Sequence, residues 1–324
     1  MFSHKDIEFR TILVINCLEK RNLRVCNGGL LIEEEHDGVT KTLAKLPFQK
    51  VLMIFVVGYV SITTPLIDKC KKYGVGLVVV NQSFRPVFFW SNDAEANYLL
   101  RQKQYSLDKS NISIARYLVK NKIKNQISLL IKTRKKDKLT IEAKEVCMTL
   151  VGHLDGKSDY NIIMGIEGMA SKTFFAAYYQ NNNWVARKPR EKCDIINTTL
   201  DIGYTILFNY IECFVRMFGF DVYVGVYHRL WFKRKSLICD IMEPFRCIID
   251  HTVRTAFNRK QCSEDDFILS DGAYYLRYEK NSAYSKMFFD ALVKYKMETF
   301  KYVQAYYRCF MQNKSIENYP KFEY

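Results

Sequence analysis

The sequence predicts an α+β protein, with an N-terminal β-rich domain over residues 1–93 followed by a larger, all-α helical domain over residues 94–324. Three observations carry that prediction. The early segments are rich in β-branched residues and punctuated by glycine. Composition shifts at Ser91-Asn92-Asp93. From Ala94 onward, apolar residues recur at helical spacing nearly to the end.

In chain order, RTILVI (10–15), LRVCNGGLLIEEE (23–35), LAKLPFQKVLMIFVVGYV (43–60) and VGLVVVNQ (75–82) read as strands. Asn27-Gly28-Gly29 is a hairpin turn, because glycine supplies the positive φ such turns need. Thr63 to Tyr73 breaks the pattern, its Thr-Thr-Pro opening and basic end suiting a short helix. Beyond the shift, Tyr98 to Tyr105 leads into a helix over Ile112 to Ile131 and then the basic run Lys132-Thr133-Arg134-Lys135-Lys136. Met164 to Tyr179 sets Glu167 between Gly165 and Gly168, small residues that leave room for a helix or backbone to approach closely. Trp184 to Tyr204 places Arg187 and Arg190 ahead of a helix cap and a long helix holding Asn197. Ser285 to Phe310 reads as one aromatic-rich helix, and the polar end after Asn313 as frayed.

The 324 residues, 48% of them hydrophobic, suffice for two domains with sizeable cores. Lys and Arg number 49 against 34 Asp and Glu, a formal net charge of +15, which favours nucleic acid or another polyanion as partner. With 22 Tyr and 22 Phe, rings remain for stacking on unpaired bases. Ten cysteines show no CxxC pair and no Cys/His cluster at zinc spacing. Most, including Cys213, Cys239 and Cys247, lie in apolar helical patterns as small buried hydrophobes, which suits a reducing cytoplasm. The longest apolar run, Val51 to Val60, is too short to span a bilayer, and nothing calls for a membrane.

The chemistry concentrates between Phe218 and Asp250. His228 ends an aromatic run and is followed by Arg229 and a basic loop with Lys233, Arg234 and Lys235. Asp240 and Glu243 then stand three apart, a spacing that puts both carboxylates on one helix face, toward whatever His228 faces. One imidazole, two carboxylates and several cations suggest a hard divalent metal and a phosphate substrate. Each residue also has an ordinary reading: Glu167 as a surface charge, His228 as a hydrogen-bonded core histidine, Asp240 and Glu243 as salt-bridge partners of Arg246 or Lys235. Arg246 and Asp250, four apart, form a structural ion pair by the same spacing rule. His4, His36, His153 and His251 have no such company and are read as structural.

Three motifs in this order, GIEGMASKTFF around Glu167, GFDVYVGVYHR ending on His228 and Arg229, and SLICDIMEPFRCIID with Asp240 and Glu243, resemble the CRISPR-associated integrase family, the universal first Cas protein. Arg101-x-x-Gln104-Tyr105 and the segment with Arg187 and Asn197 resemble family positions too. The resemblance implies metal ligands Glu167, His228 and Glu243, with Asp240 as an auxiliary carboxylate or alternative ligand, and Mg²⁺ or Mn²⁺ as cofactor. It implies insertion of protospacer DNA into a CRISPR array by attack of a 3′-hydroxyl on a repeat phosphodiester. It further implies a homodimer through the β domain, with two dimers bridged by the small ferredoxin-like second Cas protein. Arg101, Tyr105, Arg134, Arg187, Arg229, Lys233 and Arg234 are the expected DNA contacts. Two other functions use the same features. A structure-specific nuclease of branched DNA would employ these residues with water as nucleophile, and a non-catalytic DNA-binding scaffold would rely on charge alone.

Overall fold

The computed structural model describes residues 2–17, 20–91, 97–108, 112–134, 136–157, 159–180 and 184–324. A short helix α1 (His4–Phe9) precedes the strands, closed by a capping box between Ser3 and Asp6. Strands β1 (Thr11–Asn16), β2 (Arg21–Cys26), β3 (Gly29–His36), β4 (Val39–Pro47) and β5 (Val51–Val57) follow, then α2 (Thr64–Tyr73), β6 (Gly76–Val80) and β7 (Pro86–Trp90). They form two sheets. The first has the order β1-β5-β6-β7, with β1, β5 and β6 parallel and β7 antiparallel at the edge. The second, β2-β3-β4, is an antiparallel meander inserted between β1 and β5. Its first turn uses Asn27 and Gly28 with φ of 50° and 75°, the left-handed pair that a two-residue hairpin requires.

A parallel strand covered on both faces reads as an unbroken apolar run, and VLMIFVV of β5 is buried throughout. From Met53 onward its side chains alternate between two cores. Ile54 and Val56 pack with Leu66 and Cys70 of α2 and with the small sheet. Met53, Phe55 and Val57 join the main core of the helical part. Phe55 meets Phe289 there with ring centroids 4.8 Å apart. The expected domain boundary at residue 93 lies outside the described residues.

The helical part comprises α3 (Tyr98–Tyr105), α4 (Ser113–Lys132), α5 (Lys138–His153), α6 (Tyr160–Tyr178), α7 (Ile195–Arg216), α8 (Ser236–Met242), α9 (Arg246–Asn258), α10 (Asn281–Val293) and α11 (Lys296–Met311). The central α7 is buried along most of its length. A Cβ on its Gly203 would lie 2.5 Å from Ile249 of α9 and 2.6 Å from Phe288 of α10, so this glycine sets how closely three helices approach. No helix among the described residues is long and apolar enough to cross a membrane.

Several expectations need correction. The helical part is not all-α: a hairpin, β8 (Phe267–Ser270) and β9 (Ala273–Leu276), turns on Asp271-Gly272 with both φ positive. Ser285 to Phe310 is two helices rather than one. Gly165 and Gly168 face open space: a Cβ on either would meet nothing within 4 Å among the described residues, so no element approaches there. Nor is the C-terminal segment frayed. Asn121 and Asn125 of α4 both donate to the carbonyl of Phe322, and they accept from the amides of Phe322 and Tyr324. The Phe322 ring stacks on Phe245 at 4.3 Å.

Candidate active site

The loop from α7 to α8 carries His228, and a single carboxylate shapes its end. Asp240, fully buried on α8, accepts the backbone N–H groups of Val226 (2.6 Å), Tyr227 (3.0 Å) and His228 (2.8 Å). The same carboxylate meets His228 Nδ1 at 2.6 Å. A ring nitrogen facing a carboxylate carries the proton, which leaves Nε2 with its lone pair. Gly225 allows the loop to lie this close, since a Cβ there would sit 2.6 Å from Asp240 Oδ2.

Asp240 and Glu243 therefore do not face the same way. α8 ends at Met242, and Glu243-Pro244-Phe245 forms a turn of 3₁₀ helix before α9 begins. Asp240 sits behind the imidazole, while Glu243 points to α4 and α6. There Lys122 of α4 bridges Glu167 of α6 and Glu243, its Nζ 2.7 Å from Glu243 Oε2. That oxygen is buried, with the Lys122 ammonium as its ion-pair partner. Arg246 holds the other oxygen of Glu243 at 2.9 Å. The expected Arg246–Asp250 pair is replaced by this contact, because the 3₁₀ turn brings Glu243 nearer to the guanidinium. Burial pushes the Glu243 carboxyl up, yet Arg246, Lys122 and His228 outweigh it and hold its pKa down to about 2. Lys122 shows the same balance. Burial works against its charge, Glu243 and Glu167 favour it, and its pKa ends raised.

Glu167, His228, Glu243, Lys122 and Arg246 all line one cleft of about 570 Å³. Its far wall is Arg187, which donates to Asn197 and pairs with Asp201 on α7. Asn197, just inside the cap that Asp194 makes, also bonds the carbonyl of Ala186 and the N–H of Lys188, fixing the approach to Arg187. Arg187 and Arg246 both stand over the ring of Tyr204. The hydroxyl of Tyr204 donates to buried Asp250. Cys239 also lines the cleft and is only partly buried, unlike Cys213 and Cys247.

The other sequence candidates lie elsewhere. Arg101 and Tyr105 of α3 bind the loop that leads to His228, through the carbonyl of Gly219 and the carboxylate of Asp221. Gln104 between them bonds Asp221 and Val224. Arg229, Lys233 and Arg234 sit on the exposed loop, Arg229 stacked over Tyr160. Arg134 lines a separate cleft with Lys132, Arg254 and Arg259, and among the described residues no carboxylate lines it. Lys135 of the basic run lies outside the described residues.

Sequence reasoning missed Lys122 and Glu212. Buried Glu212 receives Lys235 at 2.7 Å on both oxygens and Arg216 at 2.8 Å, which anchors the end of the basic loop. The signal for Lys122 was available: Asn121, Lys122, Asn125 and Gln126 interrupt an otherwise apolar helix face.

The donor set suits a hard divalent ion. It offers two carboxylates and an imidazole oriented through its other nitrogen by a buried carboxylate. As arranged, Lys122 stands between the carboxylates, and among the described residues no three His, Cys, Asp or Glu side chains close into a ready ligand cage.

The family profile described as CRISPR associated protein Cas1 matches residues 17–289. A CRISPR-associated endonuclease Cas1 of Thermodesulfovibrio yellowstonii is 29% identical over 245 residues, covering 72% of this chain and 77% of that protein. One from Leptospira interrogans is 29% identical over 189 residues, covering 53% of this chain and 73% of its own length. Among solved structures, a Cas1 protein from Thermotoga maritima aligns with a TM-score of 0.72 at 18% identity, over 97% of this chain and 99% of that one. A casposase bound to integration product gives 0.76 at 17% identity, over 97% and 94%. A chain of a Cas6-RT-Cas1–Cas2 complex gives 0.77 at 18%, over 97% of this chain and 36% of the longer one. The profile match begins just after β1 and ends within α10, taking in every residue that lines the cleft, and by it the chain belongs to the Cas1 family.

Proposed function

We propose that this Cas1 chain is a metal-dependent integrase of CRISPR adaptation, joining the 3′-hydroxyl of incoming DNA to a phosphodiester of the repeat. The observation that carries the reading is the convergence of Glu167, His228 and Glu243 on one cleft walled by cations. Glu167, Glu243 and His228 would hold Mg²⁺ or Mn²⁺, which when bound supplies Lewis-acid neutralisation of charge on the phosphoryl oxygens.

The chain's own residues do the rest. Arg187 and Arg246 offer guanidinium groups to a phosphate in the cleft, held in place by Asp201 and Glu243. Asp240 fixes the imidazole so that Nε2 is the free ring nitrogen, as ligand or as acceptor of the hydroxyl proton. The attacking oxygen forms one P–O bond as another breaks, and the departing 3′-oxygen takes a proton. No energy cofactor is needed, since one phosphodiester replaces another. The exposed loop with Arg229, Lys233 and Arg234 lies at the exit from His228, suited to a DNA backbone. A homodimer, and bridging by Cas2, are part of this proposal; two of the similar solved structures are Cas6-RT-Cas1–Cas2 complexes, one of them partial.

The test uses a duplex with free 3′-hydroxyls, a supercoiled repeat plasmid, Mn²⁺ and the partner protein. Glu167→Ala and His228→Ala are expected to keep DNA affinity within about threefold and to lower strand joining by at least about 10³-fold, as losses of acting groups do. Linear cuts without joined products would favour the branched-DNA nuclease. Activity indifferent to chelator would leave only the scaffold.

A further inference from the structure

Within the cleft one group has no place in the reaction just described. Lys122 Nζ pairs with both Glu167 and Glu243, the carboxylates assigned to the ion. Its side chain is 11% exposed and that of Glu243 is 5% exposed, so the pairing is largely screened from solvent. An ammonium that bridges two carboxylates stands where a divalent ion sharing them must stand, and the two cations repel across a few ångströms. One turn further along α4, on the same helix face, Gln126 lines the cleft with a buried Oε1 that has no hydrogen-bond partner.

We propose that Lys122 is a tethered counter-ion that competes with the metal for Glu167 and Glu243, and that it yields only when the cleft offers its ammonium another acceptor. Gln126 Oε1 is one such acceptor, and a DNA phosphate in the cleft is the stronger one. Metal and DNA then bind cooperatively. The carboxylates stay neutralised while the cleft is empty of DNA, and the ion enters as the phosphate draws the ammonium away. Lys122 is thus a positioning residue: it acts through the carboxylates and through the order in which ligands arrive. This inference rests on the metal reading of the site given above.

The experiment is a Mn²⁺ titration of the full chain followed by electron paramagnetic resonance of the free ion. It is run without DNA and with a duplex whose 3′ ends lack the hydroxyl, so that no joining occurs. Wild type is expected to bind Mn²⁺ at least about fivefold more tightly with the duplex present, within the usual range of site coupling. Lys122→Gln is expected to bind Mn²⁺ at least about fivefold more tightly than wild type without DNA, and to gain little from the duplex. Lys122→Arg keeps the charge and is expected to show no such gain. A purely structural lysine would lower thermal stability on substitution without tightening Mn²⁺ binding.

Equal Mn²⁺ affinity in wild type and Lys122→Gln, with binding lost in Glu243→Gln, overturns the role of Lys122 and leaves the metal site standing. No Mn²⁺ binding by any variant overturns both. Should Lys122→Gln fail to fold, the wild-type titration decides, and an affinity unmoved by the duplex overturns the proposal.

Discussion

Asp250 is a carboxylic acid sealed in the interior against the ring hydroxyl of Tyr204, and it carries a measurable consequence. Burial pushes its pKa up from 3.8 to about 6, against the hydrogen bond from Tyr204 and the charge of Arg246. An acid whose folded pKa lies above its unfolded value contributes stability that is full below the unfolded pKa. That contribution is lost as pH rises through the folded one. The window here runs from about pH 4 to about 6. Asp250→Asn keeps an oxygen for the Tyr204 hydroxyl while removing the charge, so the variant is expected to be more stable than wild type at pH 7.5 by up to about 3 kcal/mol. The gain should shrink to near zero at about pH 4, as read by urea unfolding at each pH. Spacing in the sequence pairs Asp250 with Arg246. Spacing reports which residues share a helix face, not which carboxylate reaches a guanidinium first, and the 3₁₀ turn decided for Glu243. The shared facing expected of Asp240 and Glu243 failed for a related reason: besides the His228 ring, Asp240 holds backbone N–H groups of a loop, which leave no trace in a pattern of side chains.

Among the elements, strands were legible wherever both faces are buried, as in β5, because an apolar run needs no tertiary context to be seen. The Asn27-Gly28 hairpin was legible through the same chemistry that went unread at Asp271-Gly272, where flanking helices masked a two-strand signal. Ser3 and Asp6 likewise carried the capping box of α1 in plain sight. Helix packing was not legible at all. Gly165 and Gly168 drew attention beside Glu167, yet the glycine under steric demand is Gly203, where α7 meets α9 and α10. Gly203→Ala is expected to destabilise the fold by about 1–3 kcal/mol through overpacking. Chemical denaturation would show it, and an unchanged midpoint would mean that Ile249 and Phe288 move aside freely. Because α9 begins at Arg246, the same substitution is expected to disturb the cleft as well.

For the whole molecule, two clefts lined by basic residues differ in how their charge is balanced. The cleft of Glu167, His228 and Glu243 balances its cations with carboxylates, whereas among the described residues the cleft of Lys132, Arg134, Arg254 and Arg259 has none. DNA affinity is therefore expected to fall steeply with salt. Replacing Arg134 and Arg259 together by alanine should reduce the slope of log affinity against log salt by roughly 2, about one for each phosphate no longer neutralised, with sequence preference unchanged. A slope equal to that of wild type would place the DNA path elsewhere. Charge composition raises the expectation of a polyanion but not of a route for it, because a count of residues does not say which of them the fold brings side by side.

The last residues of the chain are held by the helix that carries Lys122, and this links two distant probes. The amide protons of Phe322 and Tyr324 are donated to Asn121 and Asn125, which flank Lys122 along α4, while the Phe322 ring supports the turn that bears Glu243. Deuterium uptake at those two amides thus gauges how firmly that wall of the cleft is held, without any label near Glu167, His228 or Glu243.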